Sequence, residues 1–200
     1  MTRGNADGVP AANEVREVHR GDSLVLHRSD GSGTTYSVSA YLPAGSPSWA
    51  QAPGKGKELS WPVGLGGKGN EGVAGQVKQT PGAIGYVELA YAKQNQLPYA
   101  ELQNAEGEFV APTIESVTKA AAGASAKLPA NTDYRISIVN APGKGAYPIS
   151  SFTWLLVYQT QPDAAKGKKL VDFIHWYLRN GQKSAASLDY APRPDNLIAQ

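Results

Sequence analysis

The chain has 200 residues and a mass of 21.1 kDa, which suits one ordinary domain or two small lobes, and its 41% hydrophobic content excludes a disordered protein. The 19 Lys and Arg residues against 17 Asp and Glu residues give a net charge of +2, which argues against a nucleic-acid-binding stripe or a membrane-surface helix. Because the sequence has no cysteine and no run near the ~18 apolar residues of a membrane span, disulfides, thiolate sites and membrane insertion are not expected.

The first segment, residues 1–22, is predicted to be a tail without regular structure, because glycine and turn residues interrupt any periodic pattern. Residues 1–9 are polar and contain no apolar stretch of the kind that a secretion signal needs. The chain as written is therefore expected to stay in the cytoplasm.

Regular structure is predicted to begin with a strand over 23–28, followed by a glycine turn and a helix over 34–42 that Pro43 ends. A strand, a turn and a helix in this order are typical of an α/β fold. The next segment, 43–60, is rich in Pro, Gly and Ser and is predicted to be a loop.

In the middle of the chain, short helices and short strands are predicted to follow one another. The pattern predicts a helix over 71–79, a strand over 83–87, one or two helical turns over 88–94, a hairpin turn at 105–107 and a helix that Thr113 caps and that runs to residue 122.

Three elements are predicted in the last third of the chain. Alternating apolar residues indicate a strand over 133–139, and a longer and more apolar strand is predicted over 149–158. Helical spacing of apolar residues predicts a helix over 163–180, and Gly181 follows it where glycine commonly ends a helix.

The segment 28–35 is the first candidate site, because it joins the end of a strand to the start of a helix. Unpaired backbone N–H groups and the helix dipole favour an anion there, and Arg28 adds a guanidinium fork that suits a tetrahedral oxyanion. Asp30 is close enough in sequence to hold that guanidinium. The candidate ligand-binding residues are Arg28, Asp30, Gly31, Ser32, Gly33 and Thr34. A tight turn in which Ser and Thr cap a helix explains the same pattern, since a lone glycine turn is weak evidence.

Other motifs carry less chemistry. Residues 66–70 could form a second anion loop with Lys68 as its charge, but a turn capped by Asn70 is the better interpretation. The three histidines, His19, His27 and His175, are scattered and lie at no catalytic or metal-ligand spacing. The sequence therefore predicts no catalytic residue, no metal and no cofactor.

Five blocks in the same order resemble a known family, the periplasmic phosphate-binding proteins of bacterial ABC phosphate uptake. The first block contains the candidate loop, and the others follow it to near the end of the chain. The blocks are 27–35, 61–73, 81–88, 147–153 and 188–191.

The resemblance implies a periplasmic-binding-protein fold of type II, in which two α/β lobes close on an anion. It implies an incomplete form here, with an anion-binding lobe at 23–140 and a returning segment of the other lobe at 141–200. Arg28 would be the charged clamp, oriented by Asp30, and the helix start would donate to phosphate oxygens. In the family, a longer N-terminal portion supplies the opposing wall and a carboxylate that accepts the phosphate proton, and residues 1–22 do not resemble it.

The predicted function is binding of inorganic phosphate or a similar tetrahedral oxyanion by a truncated module. A weak phosphate-ester hydrolase that uses the same loop is one alternative, and a remnant or assembly protein without a ligand is another. An apolar strand and an apolar helix without sheet partners would expose a strand edge and a large apolar surface to water. A homodimer that buries this surface is therefore predicted. Docking to an ABC permease is doubtful because it uses both lobes, and neither nucleic acid nor membrane is expected as a partner.

Overall fold

A computed structural model describes residues 23–125, 128 and 133–198, without the side chain of Asn196. The predicted tail at 1–22 and His19 lie outside the described residues. The described part of the chain forms two compact units that divide between Tyr99 and Ala100. The lobes at 23–140 and 141–200 rest on the family resemblance alone and stay a prediction.

The first unit is built on a parallel sheet of three short strands in the order β2-β1-β3. The strands are β1 at Val25–Arg28, β2 at Leu65–Gly67 and β3 at Ile84–Gly85. The register pairs Arg28 with Gly67 and Leu26 with Gly85. Because β1 is central, its carboxyl end lies where ligands commonly bind in parallel α/β sheets.

Four helices accompany this sheet. They are α1 at Gly33–Gly45, α2 at Pro47–Gln51, α3 at Gly69–Gln79 and α4 at Leu89–Gln94. Leu26 of β1 and Val73 of α3 are completely buried and provide the apolar contact between sheet and helix. The helices α1 and α3 begin within two to five residues after β1 and β2, so both helices start near the carboxyl edge of the sheet.

Two details of this unit differ from the prediction. Pro43 does not end α1 but lies inside it, because a proline in the last turn removes only one backbone donor. The turn is still closed by a hydrogen bond of 2.9 Å from the Ser46 N–H to the Leu42 carbonyl. The predicted loop at 43–60 contains α2, which begins at Pro47, a residue that suits the first position of a helix.

The second unit begins with an antiparallel pair, β4 at Leu102–Gln103 and β5 at Phe109–Val110, which confirms the predicted hairpin. The helix α5 follows at Ile114–Ser125, and the Thr113 hydroxyl accepts a hydrogen bond of 3.1 Å from the Ser116 N–H, as the predicted cap requires. A cluster of small and apolar residues forms the core of this unit. Its buried members are Ala120, Ala121, Ala124, Ile138, Ala141 and Ala146.

The predicted strands at 133–139 and 149–158 are wrong, because both segments are described and neither has strand structure. A strand is stable only when a neighbouring segment completes its hydrogen bonds. The apolar side chains at 154–158 are exposed, with Leu156 91% and Tyr158 86% accessible. The composition of a strand is present there, but no described segment pairs with it.

The helix α6 runs from Ala164 to Trp176, and the Asp163 carboxylate accepts hydrogen bonds from the first N–H groups. The predicted end of this helix at Gly181 is wrong. A π-helical turn at 177–181 leads into α7 at Gln182–Ala185, and Gly181 has a helical φ of −64°. A short 3-10 turn and α8 at Asp195–Ile198 complete the unit. Within the described ranges, every helix is too short or too polar to cross a membrane.

A pair of glycine substitutions tests the packing of the helices. Among the described residues, a Cβ at Gly75 of α3 would meet open space, whereas one at Gly123 of α5 would collide with the Pro142 carbonyl. Because alanine favours a helix over glycine by up to about 1 kcal/mol, we expect Gly75→Ala to raise the free energy of unfolding slightly. Gly123→Ala is expected to lower it by about 1–3 kcal/mol, since backbone must move. Urea unfolding measures both, and a stabilised Gly123→Ala protein would contradict the close backbone approach.

Candidate anion-binding site

An ion pair between Arg28 and Asp30 forms the centre of the candidate site. Arg28 is the last residue of the central strand, and its guanidinium donates from Nε to Asp30 Oδ1 at 2.7 Å and from Nη2 to Oδ2 at 2.5 Å. The Arg28 side chain is 11% exposed and that of Asp30 is 35% exposed. This two-point contact fixes the plane of the guanidinium as well as its position.

The ion pair changes the acid–base behaviour of both partners. The hydrogen bonds from Arg28 and then from the Gly69 N–H hold the pKa of the Asp30 carboxyl well below its usual range. The hydrogen bond with Asp30 raises the pKa of Arg28. Asp30 is therefore ionised at neutral pH, and both of its oxygens already accept hydrogen bonds from the protein.

The start of α3 is directed at this carboxylate. The Gly69 N–H, the first of the helix, donates to Asp30 Oδ1 at 3.1 Å. For the segment 66–70 the sequence favours a capped turn over a second anion loop, and in the structure its Gly69 N–H binds a carboxylate of the protein itself. Asn70 does not cap this helix, which begins after Lys68, but lies in its first turn.

The start of α1 supplies further hydrogen-bond donors. Ser32 is the N-cap residue, and its hydroxyl oxygen accepts from the Thr35 N–H at 3.2 Å. The first intrahelical hydrogen bond runs from the Tyr36 N–H to the Ser32 carbonyl. The N–H groups of Gly33 and Thr34 come before it in the chain and have no acceptor within the helix. The Ser32 hydroxyl can also donate its hydrogen. A Cβ at Gly33 would meet open space among the described residues, so packing within the protein does not require glycine there.

The segment 54–57 forms hydrogen bonds with α1 and with its N-cap residue, Ser32. The Ser32 N–H donates to the Lys57 carbonyl at 3.0 Å. About two turns further along α1, the buried Ser39 hydroxyl accepts from the Gly56 N–H at 3.2 Å. The segment 54–57 is thereby joined to α1 at two points.

The structure adds two site residues that sequence reasoning missed, Asn70 and Tyr86. The Arg28 Nη1 group donates to Asn70 Oδ1 at 3.4 Å, and the Arg28 backbone N–H donates to the Tyr86 hydroxyl at 3.0 Å. Both residues lie within the blocks that carry the family resemblance. Their place in these blocks is the one feature of the sequence that could have indicated a role in the site. Local pattern alone does not show that a polar residue has a partner 42 or 58 positions away.

Aromatic rings pack against one another beside the end of β1. The rings of His27 and Trp61 stack with centroids 5.0 Å apart and planes 9° apart, and the Trp61 ring lies 5.8 Å from that of Tyr86. The His27 ring is therefore held by packing against Trp61. Across the described part of the chain, no group of three His, Asp or Glu side chains could hold a metal ion.

The segment carries several hydrogen-bond donors and is suited to an anion. A fixed guanidinium, one hydroxyl and the N–H groups of a helix start all belong to the seven residues from Arg28 to Thr34. Such a set of donors matches the oxygens of a tetrahedral oxyanion. All six residues predicted from the sequence lie in this segment, and their role as ligands stays a prediction.

Comparisons with known proteins show the family to which the chain is related. The sequence model of a family described as "PBP superfamily domain" matches residues 11–180. The phosphate-binding protein PstS of Xylella fastidiosa (strain Temecula1) is 49% identical over 176 residues, which are 88% of this chain and 48% of that protein. PstS of Haemophilus influenzae is 38% identical over 195 residues, or 98% of this chain and 58% of that protein. The similarity that the five blocks indicated is thus confirmed, and the chain spans about half the length of these relatives.

Solved structures give the same result at the level of the fold. A high affinity periplasmic phosphate-binding protein (PfluDING), bound with phosphate, superposes with a TM-score of 0.62 at 18% identity. The alignment covers 90% of this chain and 56% of that one. A structure described as a DING protein has a TM-score of 0.57 at 19% identity, with coverage of 90% and 57%.

The ion pair predicts a pH dependence of stability. Because the folded pKa of Asp30 lies well below its ordinary value of 3.8, the folded chain binds fewer protons than the unfolded chain at acid pH. The contribution of Asp30 to stability should therefore be complete above about pH 5 and decline as the pH falls below that ordinary value. Asp30→Asn should lack this decline, as measured by urea unfolding at several pH values.

The matched control is Asp172→Asn, which removes an exposed carboxylate that pairs with Lys168 at 2.8 Å. It should preserve the acid decline of the wild type. Equal pH profiles for the wild type and Asp30→Asn would contradict the assigned hydrogen bonds of Asp30.

Proposed function

The chain belongs to the PBP superfamily, and on that premise we propose that it binds inorganic phosphate or a similar tetrahedral oxyanion at the segment 28–34. The observation that carries the proposal is the Arg28 guanidinium, which Asp30 holds in a two-point ion pair at the end of β1, five residues before α1 begins. A charged donor and unpaired N–H groups at one place form a site that favours negative charge. The relatives' printed names state phosphate binding, which supports the choice of ligand.

Each residue of the segment has its own part in the proposed binding. Arg28 contacts the anion through the edge of its guanidinium that Asp30 leaves available, since Nη1 makes only a long bond of 3.4 Å to Asn70. Ser32 donates its hydroxyl hydrogen, and Gly33 and Thr34 donate backbone N–H groups, with the Thr34 hydroxyl as a further donor. Asp30 positions Arg28 without touching the ligand, and Gly31 leads the backbone from the ion pair to the helix start.

The donors of this segment set an expectation for selectivity. A hydrogen-bond acceptor is needed to distinguish a protonated phosphate from sulfate, and Asp30 is committed to Arg28 and Gly69. The proposed site therefore recognises charge and tetrahedral shape, and we expect sulfate to compete with phosphate to a measurable extent.

Phosphate titration calorimetry on Arg28→Ala tests the proposal. Loss of the guanidinium also leaves the Asp30 carboxylate unpaired beside the ligand, so we expect the affinity to fall by at least about a hundredfold. Arg135→Ala is the matched control, because Arg135 also pairs with an aspartate two positions away, Asp133, but is 83% exposed. It should bind phosphate as the wild type does.

Two results would overturn the proposal: no phosphate heat from the folded wild type, or equal affinity for the wild type and Arg28→Ala. Circular dichroism of each variant shows that the fold is retained. Incubation of the same proteins with a chromogenic phosphate monoester tests the hydrolase alternative, which Arg28-dependent turnover would favour.

A homodimer is part of the proposal, and the exposed apolar side chains of the second unit support it. Leu155, Leu156 and Tyr158 are 66%, 91% and 86% exposed, and Phe173 and Trp176 on α6 are each more than half exposed. A second copy that covers these side chains would remove a large apolar area from water.

Light scattering after size exclusion tests the dimer. The expected mass is twice the 21.1 kDa of one chain, and Leu156→Glu should shift it towards a single chain by placing a charge in the apolar contact. Gln159→Glu is the control, since it adds the same charge just beyond the apolar residues. A wild-type mass of one chain at all concentrations would show that the dimer is wrong.

A further inference from the structure

The hydroxyl of Tyr86 lies between the two parts of the candidate site. It accepts a hydrogen bond of 3.0 Å from the Arg28 backbone N–H and makes one of 2.8 Å with the Thr35 hydroxyl. Arg28 is the last residue of β1, and Thr35 lies in the first turn of α1. One phenol oxygen therefore joins both ends of the segment that carries the donors.

The position of this hydroxyl is itself held by packing. The Tyr86 ring lies against Trp61, and Trp61 stacks on His27, the neighbour of Arg28 in β1. Thr35 is 1% exposed, so its hydroxyl depends on a partner within the protein. Ring packing on one side and two hydrogen bonds on the other leave Tyr86 little freedom.

The hydrogen bonds of Tyr86 bear on the distance between the Arg28 backbone and the start of α1. Asp30 orients the side chain of Arg28, but it does not fix how far the Arg28 backbone lies from the helix start. The bridge through Tyr86 sets that separation, and a tetrahedral anion contacts both ends of the segment only when their spacing suits it. Holding this spacing before the ligand arrives removes part of the ordering cost of binding.

We propose that Tyr86 is a positioning residue for anion binding, which spaces Arg28 and the start of α1 through its hydroxyl. The proposal rests on phosphate binding by the segment 28–34 and names a residue outside that segment on which the affinity depends. Tyr86 acts through Arg28 and Thr35 and does not contact the anion.

The experiment measures phosphate affinity by titration calorimetry in Tyr86→Phe, which keeps the ring packing and removes only the hydroxyl. We expect the dissociation constant to rise by about five- to twentyfold. Tyr91→Phe is the matched control, because it removes a hydroxyl that bonds Glu71 at 3.1 Å on the exposed side of the same unit. Its affinity should equal that of the wild type.

A double-mutant cycle separates positioning from general stability. Thr35→Val breaks the same bridge from its other end, so the double variant should bind no more than about twofold more weakly than either single variant. Thr35→Ser keeps a hydroxyl at this position and should retain most of the affinity. Amide hydrogen exchange of Arg28 in anion-free protein should be faster in Tyr86→Phe and unchanged in Tyr91→Phe.

The outcomes are distinguishable. Equal phosphate affinity for the wild type and Tyr86→Phe would overturn the role of Tyr86 and leave phosphate binding intact. Fully additive losses in the double variant would also overturn it, since the two hydroxyls would then act separately. Absence of phosphate binding by the folded wild type would overturn the proposed function and this inference together.

Discussion

The first unit depends on one electrostatic constraint, the ion pair that Arg28 makes with Asp30 at the end of the central strand. A guanidinium that is 11% exposed has lost most of its water and needs a partner that satisfies it. Asp30 does so with both carboxylate oxygens and also accepts the first N–H of α3. The pair therefore fixes the direction of a charged side chain and, in the same contact, the start of a helix. The donors of α1 follow in sequence a guanidinium that is already oriented.

The elements that depend on local pattern were predictable. The strand at β1, the helix at α1, the hairpin of β4 and β5 and the Thr113 cap of α5 follow from residues that are close together in sequence. The candidate segment 28–34 belongs to the same class, because a strand end, two glycines and an N-cap serine are contiguous. The predicted periplasmic-binding-protein-like fold is confirmed by the family match over residues 11–180 and by the solved structures.

The elements that depend on distant partners were not predictable in the same way. Residues 149–158 have the composition of a strand, but a strand exists only when another segment pairs with it. Asn70 and Tyr86 reach Arg28 only because β1, β2 and β3 pair in one sheet. The identity of these two residues does not predict that pairing. Gly181 resembled a helix end, yet a π-helical turn carries the chain through it.

The two hydrogen bonds between α1 and the segment 54–57 have a mechanical consequence. The Ser32 N–H and the Ser39 hydroxyl hold that segment at two points about two helical turns apart, so the segment is tied to the first two turns of α1. Thermal motion of one part therefore displaces the other on the same timescale. An anion that reduces the fluctuations of residues 28–34 would slow amide exchange at Gly56 as well, although that glycine lies outside the binding loop. Ligand binding would in this way reduce the motion of backbone that the ligand does not contact.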